Sequence, residues 1–137
     1  MMKTRKHVRG VTLLELMIVV MVVAILATIA YPNYRDAAAR AKRNEAKAAL
    51  LLIATNQERF YLSNNTYTND LVALGATPLT ESETYAITIP AADANNFTAI
   101  ATYQNADNEA GKCQTFQIDG RGVKTSAPLG DCWTRTR

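Results

Sequence analysis

Residues 11–31, VTLLELMIVVMVVAILATIAY, are apolar except for Thr12, Glu15 and Thr28. About 20 residues rising 1.5 Å each cross a bilayer as a helix, so this run is long enough to span one. The 137-residue chain has room for one domain, and spending its leading third on such a segment leaves only a small globular part. Lys3, Arg5, Lys6 and Arg9 precede the run, which predicts a cytoplasmic amino end with the remainder outside. An ordinary cleaved signal peptide carries its small residues after the apolar core, whereas here Gly10 comes before it. An uncleaved signal anchor on a periplasmic protein is the competing reading.

Pro32 lacks an amide donor and crowds the carbonyl four residues earlier, so a kink or loosening of the helix is expected there. The helical pattern then resumes. Residues 35–62 are rich in Ala, Leu, Lys, Arg and Glu and contain neither Gly nor Pro. Ala46, Ala49, Leu50, Ile53, Phe60 and Tyr61 recur near helical spacing, interrupted by Arg40, Arg43, Lys47 and Glu58. A single helix over 11–62 would be roughly 75 Å long, more than a small domain can cover.

The Ser63, Asn64, Asn65 cluster predicts the end of that helix, and 66–84 reads as a connecting loop anchored by Leu71, Val72 and Leu74. Alternating stretches at 85–90, 97–103, 113–119 and 123–125 read as strands, the last two joined through Asp119, Gly120, Arg121 and Gly122 as a hairpin turn. The expected architecture is α+β, with an antiparallel sheet of three or four strands laid on the carboxyl half of the helix. The organisation expected is a basic leader over 1–10, a membrane-directed helix over 11–34 and an exported head over 35–137.

Removing residues 1–10 leaves 11 basic against 12 acidic side chains, a net charge of about −1, so the basic pI belongs to the leader. The leader also holds the one histidine, His7, which excludes a histidine base or ligand downstream. Glu81 with Glu83, and Asp107 with Glu109, are two apart in loops and read as solvated charge. There is neither a phosphate-binding glycine loop nor a nucleophile elbow. No enzyme activity, cofactor or metal is therefore expected. Cys113 and Cys132 lie downstream of the export segment, which predicts one disulfide enclosing 18 residues. A zinc site is the alternative, and it would need two more ligands in a chain without a CxxC pair. Trp133 reads as a packing residue, with a binding anchor as the other option.

Glu15 is a carboxylate inside an apolar span, where such groups cost a few kcal/mol and usually have a partner. A cut between Gly10 and Val11 would create an amine four residues earlier, a counter-charge for the Glu15 of a neighbouring copy. Pairing of that kind favours one axial register between packed helices, since any other leaves a charge unpaired. A Glu that snorkels to the membrane surface is the plainer alternative.

The run Arg9, Gly10, Val11, Thr12, Leu13, Leu14, Glu15, Leu16 resembles the class III signal of type IV prepilins and the related pseudopilins. The resemblance implies the pilin fold, cleavage after Gly10 by prepilin peptidase, N-methylation of Val11, and a role for Glu15 in methylation or assembly. Val11 departs from the usual Phe at that place. Pro32 and the late cysteine pair are similarly placed in type IV pilins. Further along, Arg43, Asn44, Glu45, Ala46, then Gln57, Glu58, Arg59, Phe60, Tyr61, and the closing Asp131, Cys132, Trp133 resemble the short PilE-like minor pilins. The implied partners are other pilins in a helical filament, an inner-membrane platform and an ATPase motor. The implied locations are the bacterial inner membrane and then the extracellular pilus.

A type II secretion pseudopilin shares the leader, although the cysteine pair is more pilin-like. A DNA-binding pilin is a further alternative. Lys112, Arg121, Lys124, Arg135 and Arg137 face only Asp119 and Asp131, a local net charge of +3 that permits contact with phosphates.

Overall fold

A computed structural model describes residues 10–135. The leader before Gly10, with His7 and Arg9, and the terminal Arg137 lie outside the described residues. Contacts divide the chain into two compact units, Met1–Asp36 and Ala37–Arg137.

One helix, α1, runs Leu13–Asn64 with Pro32 inside it. Its start is capped by Thr12, whose hydroxyl accepts from the Glu15 amide at 3.2 Å and whose carbonyl accepts from Leu16 at 3.1 Å. Its end is set by Asn65 at φ 54°, the left-handed conformation that asparagine tolerates, with the Asn65 amide donating to Tyr61 O at 2.8 Å.

In the first unit the apolar side chains of α1 are exposed, from Leu13 to Ile29 and Tyr31. An 18-residue window there has a mean hydropathy of 2.8, and none of it is buried.

In the second unit α1 buries Arg43, Ala46, Leu50, Ile53 and Gln57, spaced three and four apart along one stripe. That stripe joins a core supplied by four strands: β1 Tyr85–Ala92, β2 Phe97–Tyr103, β3 Cys113–Asp119 and β4 Lys124–Pro128. They pair in the order β1-β2-β3-β4, every neighbour antiparallel. Strict alternation in β2 turns Phe97, Ala99, Ala101 and Tyr103 inward, and register opposes Ala101 to Phe116. Tyr85 stacks near both Tyr103 and Phe116, at 5.1 and 5.7 Å between centroids.

The strand expectations hold, with differences that have local causes. β1 continues past Pro90 to Ala92, its register shifting between Thr88 and Ala91, which an edge strand can accommodate. β4 is longer than 123–125 and has no buried residue, so it carries no apolar alternation to read. Leu74 is buried and Leu71 half-buried as expected, but Val72 is 83% exposed and anchors nothing. The loop is instead pinned by polar groups of α1. The Gln57 side chain donates to Thr68 O at 2.5 Å and accepts from Thr68 N at 3.0 Å, while Asn56 donates to Leu74 O at 2.9 Å.

Two charge expectations are corrected. Arg43 is buried rather than interrupting the apolar stripe, and Glu109, expected to be solvated, is its partner. The Arg43 Nε and Nη2 atoms donate to the two carboxylate oxygens of Glu109 as a fork, the Nη2 bond at 2.6 Å. Asp107 is also engaged, accepting from the Tyr103 hydroxyl at 2.8 Å and from the Glu109 amide at 2.9 Å.

Candidate functional site

Gly10 and Val11 precede the first turn of α1 and are exposed, and a side chain at Gly10 would meet nothing within 4 Å. Glu15 follows at the third helical position, exposed, with only its backbone amide used in the cap. A threonine cap followed three residues later by glutamate is a helix-start pattern, legible in the sequence as TLLE but overshadowed there by the apolar context. A carboxylate in the first turn also lies toward the positive end of the helix dipole.

Near Pro32 side chains supplement the backbone ladder. Thr28 Oγ1 donates to Ile25 O at 2.7 Å and Asn33 Nδ2 to Ile29 O at 3.1 Å. The helix is unbroken across the proline.

Cys113 and Cys132 form a disulfide with Cα atoms 5.8 Å apart, both fully buried. The bond consumes both thiols and so removes the zinc alternative. It encloses β3, the β3–β4 turn and β4. The turn is organised by Asp119, whose carboxylate accepts from Arg121 N at 3.0 Å and Val123 N at 2.8 Å. Gly120 donates to Asn96 Oδ1 at 2.8 Å, and Gly122 takes φ +78°, a conformation glycine adopts without strain. Burial pushes the Asp119 carboxyl up, but the bonds from Val123 and Arg121 outweigh it and hold it below its ordinary range.

Trp133 packs rather than projects. Its ring meets Phe116 edge-on at 5.6 Å and its indole nitrogen donates to Thr125 O at 2.7 Å. Lys124 lies over the ring at 5.5 Å. The structure separates the basic residues that the sequence groups together. Lys112 precedes β3 while Arg121 follows it, at the opposite end of the strand. Arg121 folds back on Asp119 at 3.2 Å and Arg135 reaches Asp131 at 3.4 Å.

Lys47 of α1 donates to Trp133 O at 3.1 Å, tying the helix to the segment beyond the disulfide. Its pKa is lowered, by burial first and then by Arg43. Burial raises the Tyr85 hydroxyl, with Glu109 adding to the effect. That hydroxyl donates to Cys113 O at 3.0 Å. Among the described residues no group of three or more His, Cys, Asp or Glu is arranged to hold a metal.

Residues 5–31 match a family model described as the prokaryotic N-terminal methylation motif. Residues 32–117 match one described as type IV minor pilin ComP, DNA uptake sequence receptor. The chain is 34% identical over 99 residues to the type IV wide pilus major component PilA4 of Thermus thermophilus, covering 70% of this chain and 74% of that one. It is 43% identical over 70 residues to the type IV major pilin protein PilA of Myxococcus xanthus, covering 51% of this chain but only 32% of the relative. A solved type IV pilin from Shewanella oneidensis superposes with a TM-score of 0.52 at 26% identity, covering 71% of this chain and 99% of that one.

Proposed function

The chain belongs to the type IV pilin family, and from that membership we propose that it is a pilus subunit, anchored first in the inner membrane and then assembled through α1. The observation that carries this reading is the bare apolar surface of the helix before Asp36. Full burial of each Leu, Ile, Val or Met side chain is worth about 1.5–3 kcal/mol, so a surface made of many of them has to be covered by lipid or by other helices. Before assembly lipid covers it, with the amino end cytoplasmic. In the filament neighbouring copies do. Prepilin peptidase cuts after Gly10 and Val11 is methylated, in line with the methylation-motif match over 5–31. The chain carries no nucleotide-binding motif, so extraction from the membrane draws on a platform and a motor ATPase.

A minor rather than major place in the filament is favoured by the ComP-type match over 32–117, against relatives that are major pilins. Intact mass spectrometry of sheared filaments tests the whole reading. A species starting at Val11, carrying one methyl group and an intact disulfide, and scarce beside other pilins, is expected. A chain held in the cell membrane with residues 1–10 attached overturns it.

Glu15 supplies the register charge for the Val11 amine of a neighbour. Glu15→Ala keeps the backbone amide that Thr12 caps, so membrane insertion should persist while assembly falls. Normal incorporation into filaments would refute the pairing.

A second reading, DNA binding, is favoured by the same ComP-type match, which ends at residue 117, ahead of Arg121, Lys124 and Arg135. Neutralising Arg121 and Lys124 should reduce salt-sensitive duplex binding by the chain. Unchanged binding in that variant would exclude this face.

A further inference from the structure

Within the second unit, α1 and the segment after the disulfide line a cleft of about 380 Å³. Arg40, Arg43, Asn44 and Lys47 line its helix side, and Trp133 to Arg135 line the other. Arg40, Asn44 and Lys47 are four and three residues apart and so share one face of the helix. Among the described residues, every ionisable side chain in the lining is a cation and no carboxylate lines it. Arg43 directs two nitrogens to Glu109 behind the wall, and Arg135 is shared with Asp131. Among the described residues Arg40 and Lys47 form no salt bridge.

We propose that this cleft binds a phosphate group. Arg40 offers a planar fork matched to two phosphate oxygens, Lys47 a compact point charge, and Asn44 an amide donor. Together these match the several oxygens of a phosphate group, monoester or diester, better than the two of a carboxylate. Lys47 is partly withdrawn from water beside a second cation, and its pKa is lowered by that burial first and by Arg43 second, both of which a bound anion offsets. The sequence conceals the cleft because Arg40 and Arg135 are far apart along the chain.

The site does not depend on filament assembly, since a single chain binds phosphate or does not. The test is titration of the full-length chain in neutral detergent with inorganic phosphate at low salt, followed by phosphorus NMR. Saturable binding is expected. Arg40→Gln alone should weaken it, and Arg40→Gln with Lys47→Gln should weaken it roughly tenfold or more. Arg121→Gln with Lys124→Gln should leave it intact. Arg40 makes no bond that folding needs, and Trp133 fluorescence checks that each variant retains its head. Phosphate should also raise the Lys47 pKa, by linkage. Absence of saturable binding, or equal loss in the Arg121 and Lys124 variant, overturns the proposal. Displacement by an oligonucleotide without a terminal phosphate would identify a backbone diester as the natural group. Displacement only by a 5′-phosphorylated one would identify a monoester. Both outcomes support the site.

Discussion

Removing one partner of the Arg43–Glu109 pair should be far more damaging than replacing both. Their side chains are only 6% and 10% exposed, and Glu109 accepts both arms of the guanidinium fork. Glu109→Leu would leave the guanidinium without its carboxylate in a desolvated site, and Arg43→Met would do the converse. Either change should cost about 3–5 kcal/mol. The double variant Arg43→Met, Glu109→Leu removes both charges of the pair and fills the site with apolar side chains, so its stability should fall within about 1 kcal/mol of the parent. For a head of this size a 3 kcal/mol loss lowers the midpoint by about 12 °C or more. The assay is thermal and urea unfolding of the detergent-held chain, read by the fluorescence of Trp133, the one tryptophan, which packs on Phe116. If the double variant lost the sum of the two single losses, the residues would be acting independently and the pairing would carry no weight.

Replacing Cys113 and Cys132 by Ser should lower head stability by about 3 kcal/mol in the chain-entropy model, for partners 19 apart in sequence; unchanged urea unfolding would refute this. Gly120→Ala should cost about 1–3 kcal/mol, because the new methyl would sit 2.7 Å from Asn96 Oδ1 and 3.2 Å from the Phe97 ring; a silent substitution would show that the turn shifts freely. Acid should destabilise the head. Burial pushes the Asp107 and Asp119 carboxyls upward, but hydrogen bonds from Tyr103 and Glu109, and from Val123 and Arg121, outweigh it and hold both below 3.8. A folded pKa below the unfolded one contributes stability above roughly pH 4 that is lost as pH falls through the folded value, so the unfolding midpoint should drop below about pH 4. A midpoint that rose on acidification would contradict the assigned bonds.

Much of the molecule is legible in local pattern. The 11–31 run, the helix formers that follow, the strict alternation over 97–103 and the Asp-Gly-Arg-Gly turn each state their conformation within a few residues, because periodicity and turn chemistry are local properties. Gly10, Val11 and Glu15 stand out for the same reason, by position relative to an apolar span. The two cysteines needed only an oxidising compartment and each other. What tertiary structure decided was the partner of each polar group. Arg43 reads as solvent-facing until Glu109, 66 residues later, is folded against it, and Gln57 shows no purpose until Thr68 turns back onto it. Val72 is as apolar as Leu74 but falls on the outer side of its turn. β4 buries nothing, so its sequence has no period to reveal. The cationic cleft joins residues 40–47 to residues 133–135, which only the sheet and the disulfide bring together. A hydrophobic pattern says which face turns inward, whereas a hydrogen bond or charge pair requires two particular atoms to meet, and that meeting exists only once the chain has packed.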